Sequence, residues 1–570
     1  MSSSFLNSKK WETWVGTSST KSSTRKKRKG ESGVEESRHF DIPERTWRIA
    51  AICIFIVAAV LRVFDLNLVP LHHDEGVNGN FLLSLVRDGH YTYDPNNYHG
   101  PTLYYITALI PWTIRLLFGI DARETYGLST IAIRLVPALF GLGTIWLVFL
   151  LRRRLGTVAT LSAALLLAIS PGAVYLSRYF IHETLFVFFT LGIVIAGLKF
   201  YESHKPLYLI LASASAAMLF ATKETAMISA GVLLIALIST EVYRRLLIPN
   251  GGGISASSLN EIVEDLGGPT SFALWIALAV IVFVTLNVFL YTSFFQNYPK
   301  GIYDALSTFK VWSKTGKEAH VHPPETYLYW LTKQEAASLF LGGLGAVFVV
   351  FKPKNSFALF SALWAFGLIA AYSLVPYKTP WLALNFILPL TLIAGYAVQR
   401  IFELEQGQLR LPVIILIAAI LIGGYQTVDL NFVNYDNDNQ YYVYVYAHTR
   451  RETKQLVGEI DRIAKQGPDG GRTGITIVSR EYWPLPWYLR HYSRVGYYGR
   501  MTPTNEPIII ASDDQRAEMD SNFGSLYTVV PSGAADEAFV LRPGVKLLLY
   551  VRRTGQTPLA AAPENLKRQN

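Results

Sequence analysis

The sequence predicts an all-α polytopic membrane protein with a small α/β soluble domain near its C-terminal end, on the outer face of the membrane. Three observations carry this expectation. Of 570 residues, 51% are hydrophobic and 16% charged. Apolar runs of about 20 residues, the length that crosses a bilayer, recur up to about residue 430. Beyond about residue 431 they give way to short β-rich runs. The net charge of +10 gathers in the N-terminal tail and at helix ends, where it reads as topology information, not as a nucleic-acid footprint. The one cysteine, Cys53, lies inside an apolar run, which excludes an intramolecular disulfide and a cysteine metal cluster.

Residues 1–46 are rich in Ser, Thr and Lys, include "TRKKRKGES", and read as a disordered basic tail on the cytoplasmic side. The first apolar run begins near Trp47 with no small-residue cleavage pattern after it, so it reads as a retained helix. Twelve apolar segments occur: 47–64, 101–119, 128–151, 155–171, 183–200, 207–221, 226–243, 272–295, 336–351, 356–375, 380–401 and 411–429. With 101–119 left out, the basic clusters Arg152-Arg153-Arg154, His204-Lys205, Arg244-Arg245, Lys352/Lys354 and Arg400/Arg410 all fall on the inner side. Counted as a span, that segment moves every one of them outside. It also carries Pro111 and Arg115, and an arginine at a helix centre costs about 2.5–3.5 kcal/mol on insertion scales. It is expected to be a broken, interfacial or re-entrant helix, leaving about 11 transmembrane helices within a domain at 47–430.

An odd number of spans places residues 431–553 outside the cytoplasm, in a multi-pass protein of the cell membrane. There "GITIVSR", "EPIIIAS", "LYTVVP" and "VKLLLYVRR" predict strands, and one helical stretch is expected near 482–492. Residues 554–570 read as a disordered tail, and the Gly/Ser-rich stretch 247–271 as a linker. No internal repeat is visible.

Four charged constellations fall at the outer ends of these helices. The first is "HHDEGVNG", with His72, His73, Asp74 and Glu75. Asp74 is a favoured helix cap for "EGVNGNFLLSLVRDG", closed by Gly89, and Val77, Phe81 and Leu85 would lay that helix on the membrane surface. Capping does not explain the neighbouring Glu75, His72 and His73, nor the polar aromatic loop "YTYDPNNYHGP" with His99. The second is "SRYFIHETLF", with Arg178, His182 and Glu183; the third is "ATKETA", with Lys223 and Glu224; the fourth is "PYKTPW", with Tyr377 and Lys378. Each alone reads equally as an interfacial anchor. Together, acids suit proton abstraction from an acceptor hydroxyl, and Lys and Arg suit a phosphate. A phosphate at the membrane surface points to a lipid-linked phosphate. His320 and His322 of "AHVHPPETYLYW" are further candidates, with an ordinary surface loop the blander alternative.

In order and side, these motifs resemble GT-C type membrane glycosyltransferases of the protein O-mannosyltransferase and aminoarabinose transferase group (glycosyltransferase family 39). The stretch "HHDEGVNGNFLLSLVRDGHYTYDPNNYHGPTLYYIT" is similar to the prokaryotic flippase-associated glycosylation protein subgroup. The resemblance implies a GT-C fold over about 47–430, a polyprenyl-phosphate-linked sugar as donor, and Asp74 as catalytic base with Glu75 its neighbour. It further implies Glu183 as a supporting or acceptor-site acid and Lys378 as a phosphate contact, with Arg178 and Lys223 as weaker counterparts. "YHGPTLYY" lacks the lysine of the relatives' Asn-Lys-Pro-Pro motif, so donor and acceptor choice do not transfer. Expected partners are the lipid-linked sugar, membrane lipids and an acceptor of unspecified class (protein, lipid or glycan), with no nucleic acid. Metal independence is expected, a divalent ion sharing the phosphate charge being the alternative. The rival reading is a non-catalytic accessory or carrier protein for flipping lipid-linked sugars.

Overall fold

Among the described residues of a computed structural model, eight helices are long and apolar enough to cross a membrane, or ten if each of two bent pairs forms one span. The structure describes residues 41–96, 99–119, 128–247, 256–318, 320–353 and 355–553. The expected tails, 1–46 up to residue 40 and all of 554–570, lie outside the described residues. The first four helices of note are α1 (Glu44–Val63), α2 (His73–Leu83), α3 (Thr102–Phe118) and α4 (Thr130–Phe149). The bent pairs are Thr157–Ala168 with Pro171–Ser177 (60°) and Thr326–Gln334 with Ala336–Phe351 (114°). The eleventh expected span, 207–221, is the shorter helix Pro206–Phe220. Within the stretch read as a linker, Ala256–Asp265 is helical, and 248–255 lie outside the described residues.

At the centre lies Leu384–Leu404, buried at every position from Leu384 to Gln399. It packs on Thr157–Ala168, Ala336–Phe351 and Ser356–Leu374. In lipid no hydrophobic force drives helices together, so close packing through small residues has to hold them. The central helix shows this: a side chain at Gly395 would meet the Ala159 carbonyl at 2.2 Å.

Of the three forms expected for segment 101–119 (broken, interfacial or re-entrant), the broken one is not seen: Thr102–Phe118 is a single helix through Pro111. Its two ends nevertheless face the same way. The Gly100 N–H before it donates to Thr222 O (3.1 Å), beside the turn that carries Lys223. The Leu128 carbonyl after it accepts from Arg490 of the C-terminal domain (3.0 Å). Near its other end Trp112 and Arg115 line a groove with Ser293 and Gln296, just past Tyr291, whose hydroxyl donates to Phe220 O (3.1 Å), so the described helix begins and ends beside the same helix ends, on one side of the bundle.

The C-terminal domain is a six-stranded mixed sheet: β1 (Ile475–Ile477), β2 (Val495–Tyr497), β3 (Ile508–Ser512), β4 (Tyr527–Val530), β5 (Phe539–Arg542) and β6 (Val545–Arg552). The order is β2-β1-β3-β6-β4, with β5 also on β6. The β1 pairs with β2 and β3 are parallel and those on β6 antiparallel. A helix that the sequence reading missed, Glu452–Gln466, covers it with Leu456, Ile460 and Ala464. The helix expected at 482–492 shrinks to the single turn Leu485–Tyr488, because Pro484 and Pro486 cannot donate to a preceding turn.

Candidate active site

α2 joins the two parts of the molecule. Gly76 and Gly79 lie where a side chain would strike Pro484 Cβ (2.6 Å) and the Trp487 ring (2.5 Å). Val77 and Leu85 are buried too, so the apolar face expected on the membrane surface is covered by protein instead. His72, not Asp74, caps the helix: its Nδ1 accepts from the Asp74 N–H (3.1 Å), while Glu75 accepts from the His72 N–H (3.0 Å), a capping box. With Nδ1 taken up as the acceptor, the Nε2–H of His72 donates to Tyr446 O (3.1 Å).

The two adjacent acids part ways here. Glu75 is fully buried and accepts four hydrogen bonds: Arg134 Nε (2.7 Å) and Nη2 (2.5 Å), Phe180 N–H (2.8 Å) and His72 N–H. Arg134 spends its remaining donors on the carbonyls of Leu66, Val69 and Pro70. The pair ties α4 to the 66–72 segment and occupies every lone pair of Glu75, the acid expected beside Asp74 among the catalytic groups. Asp74, one residue earlier, points the other way, with a side chain 37% exposed, into a cleft of about 450 Å³.

The other cleft walls come from distant elements. His99 is held by a strap in which Gly100 lies against residue 221; a side chain at Gly100 would meet Ala221 O at 2.1 Å. His99 Nδ1 pairs with Glu224 (2.8 Å), and Lys223 Nζ pairs with Glu183 (2.5 Å), which opens the helix Glu183–Ser203. Burial pushes the Glu224 carboxyl up, but His99 and Lys223 outweigh it and hold it at about 2. Burial, with His99 and Lys223 beside it, keeps His182 far below its ordinary value. Its Nε2–H donates to Gly100 O (3.0 Å), leaving a buried Nδ1 acceptor without a partner. His73, Tyr377, Trp381 and His320 complete the wall, with His320 Nδ1 on the Tyr446 hydroxyl (2.8 Å).

The structure thus brings together His73, Asp74, His99, His182, Glu183, Lys223, Glu224 and Tyr377. It does not bring in Arg178 or Lys378. Arg178 donates to the carbonyls of Leu61, Phe64 and Asp65, closing the end of α1. Lys378 Nζ donates to the carbonyls of Val375 (2.6 Å), Ser373 (3.1 Å) and His322 (3.3 Å), at the end of Ser356–Leu374. Both cations are buried, and neither lines the cleft. Arg542 from β5 does line it, while pairing with Glu481 and donating to Trp483 O (3.3 Å). Burial lowers the Arg542 guanidinium from its ordinary value, and Asp74 opposes that. No local signal in "FVLRPG" marks Arg542, because only the sheet topology swings it over α2. Among the described residues, no group of three or more His, Cys, Asp or Glu is placed to hold a metal ion.

A family model described as "Dolichyl-phosphate-mannose-protein mannosyltransferase" matches residues 107–252. The chain is similar in fold to ArnT from Cupriavidus metallidurans in the apo state (TM-score 0.56, 14% identity, covering 89% of this chain and 97% of that one). It is also similar to ArnT bound to undecaprenyl phosphate (TM-score 0.51, 13% identity, 89% and 98% covered). A third similar structure is the archaeal oligosaccharyltransferase AglB from Archaeoglobus fulgidus, in complex with an inhibitory peptide and a dolichol-phosphate (TM-score 0.52, 14% identity, 83% and 70% covered). No curated protein sequence matches the chain. The fold is that of GT-C membrane glycosyltransferases.

Proposed function

We propose that this GT-C chain transfers a sugar from a polyprenyl-phosphate-linked donor to an acceptor hydroxyl, in the cleft around Asp74 and on the extracytoplasmic face. One observation carries the reading. Glu183 and Glu224, the other cleft acids, each pair with a cation, while Asp74 meets only a histidine whose facing nitrogen is already an acceptor. An exposed, unpaired carboxylate beside a half-buried guanidinium is what proton transfer next to a phosphate requires. The lipid phosphates bound by the similar ArnT and AglB structures support such a donor.

In this mechanism Asp74 takes the proton of the acceptor hydroxyl as that oxygen bonds to the anomeric carbon. The bond from the anomeric carbon to the phosphate oxygen breaks, and the polyprenyl phosphate leaves with the electron pair. Arg542, with Lys223 deeper in the cleft, offsets the charge that gathers on the phosphate. His182 Nδ1 offers an acceptor for a sugar hydroxyl. The acids Glu183 and Glu224 are already spent on Lys223 and His99, a donor set that fits a metal ion poorly. Transfer that vanishes in chelator and returns with a divalent ion would overturn metal independence.

The test is Asp74→Asn in purified full-length protein with a polyprenyl-phosphate sugar. Transfer should fall about 10²–10⁴-fold while the protein still inserts and folds. Near-wild-type transfer removes Asp74 from the base role. Lipid-linked sugar crossing the membrane without any product supports the carrier reading instead.

A further inference from the structure

A second groove, of about 470 Å³, shares no lining residue with the cleft. It lies between the end of α2, the outward side of α3 and the loop after the helix Gly268–Tyr291. Past Leu83 the chain continues as a π turn, Ser84–Asp88, closed by Gly89 in the left-handed region. Such turns interrupt the ordinary ladder and re-aim side chains. Arg87 projects from this one, donating to Arg490 O (3.3 Å), and reaches the groove wall. Across the groove stand Arg115 and Trp112 of α3. The third wall is the loop where Ser293, Phe294 and Phe295 all have positive φ (52°, 54° and 70°), a run that side-chain-bearing residues rarely adopt.

The chemistry of this place is specific. Among the described lining residues two guanidinium groups stand with one carboxylate, the exposed Asp88, so that part of the lining carries net positive charge. Around it, Leu116, Leu117 and Phe118 on α3 and Phe294 and Phe295 on the loop are all more than half exposed. Nothing among the described residues covers them. Since α3 starts and returns on one side of the bundle, this apolar skirt lies at the membrane surface with the arginines at its edge. Trp and Arg at such a boundary are the residues that meet lipid headgroups.

We propose that this groove binds the phosphate of an anionic glycerophospholipid, its acyl chains lying over the exposed leucines and phenylalanines. The site is separate from the sugar-transfer cleft and rests only on the membrane placement of α3, not on the reaction assigned to Asp74. The occupant is a resident membrane lipid, because a soluble phosphate leaves the apolar skirt uncovered.

The test is native mass spectrometry of the full-length protein titrated with phosphatidylglycerol, phosphatidylcholine or inorganic phosphate. Phosphatidylglycerol should bind in preference to phosphatidylcholine. Arg115→Gln should weaken it about fivefold, and Arg87→Gln with Arg115→Gln about 25-fold, at roughly one Boltzmann factor of surface charge per arginine. Asp74→Asn should leave it unchanged. Arg115 is exposed, so that variant decides the matter even where the double variant, which also loses the bond to Arg490, melts early. Equal binding of the two lipids, undiminished binding to Arg115→Gln, or inorganic phosphate binding as tightly as phosphatidylglycerol would each overturn the proposal.

Discussion

Replacing Glu75 by Gln changes one oxygen to an amide nitrogen in a fully buried site. Each Glu75 oxygen accepts two donors: Oε1 from Arg134 Nε and Phe180 N–H, Oε2 from Arg134 Nη2 and His72 N–H. Whichever way the amide turns, its NH₂ faces two donors and leaves both unpaired. The Arg134 guanidinium also loses its counter-ion while staying 1% exposed. Removing one member of a buried ion pair costs about 3–5 kcal/mol, since the remaining charge stays desolvated. The variant should therefore show a clearly lower melting temperature in detergent and a lower folded yield. The same structure ties down the segment that precedes Asp74, so transfer should fall in step with the folded fraction. A Glu75→Gln protein that melts like the wild type yet has lost transfer would refute this reasoning and return Glu75 to the catalytic groups.

Lys378→Met should lower stability by about 1–3 kcal/mol, by stranding three carbonyls, and leave the KM for the lipid-linked donor unchanged in steady-state kinetics. A raised donor KM would instead mark a phosphate contact. Arg542→Ala should cut transfer about 10- to 100-fold with the sheet intact by circular dichroism, as expected for loss of a charge-assisted contact. The Glu224 carboxyl lies at about 2 in the folded state and near 4.5 in an unfolded chain, so its folded-state value is the depressed one. Its stabilisation is complete above about pH 4.5 and drains away as the pH falls towards 2, amounting to at most about 3 kcal/mol. Acid denaturation curves of Glu224→Gln should be flatter over that window than those of the wild type.

The spans were legible because bilayer length and apolar composition are local properties of the chain. The basic clusters also set 101–119 apart from the spans, and of the three forms expected of it the broken one is not seen, since the helix runs through Pro111. The charged turns were legible as a group, since the cleft gathers ten of the residues singled out. Roles within the group were not. Asp74 and Glu75 are neighbours in sequence, and only the position of Arg134, 59 residues on, separates the carboxylate that faces the cleft from the one that is tied into the fold. Arg178 and Lys378 looked like phosphate ligands because their competing partners are backbone carbonyls, and every residue has one of those. The helix Glu452–Gln466 has the periodic spacing of an amphipathic helix, at Leu456, Ile460 and Ala464, and was open to discovery from sequence. Arg542 was not, because its approach to the cleft depends on β5 pairing with β6.

The two glycines of α2 have a consequence for how such enzymes can be rebuilt. Asp74 rides on the same short helix that seats Pro484 and Trp487, and the C-terminal domain adds Arg542 to the opposite wall. The soluble domain is therefore no exchangeable module: a chimera that brings in another chain's domain must bring its matching α2 as well. Moved together, the two carry acid and cation as one graft. Moved apart, they leave Asp74 and Arg542 without a shared frame.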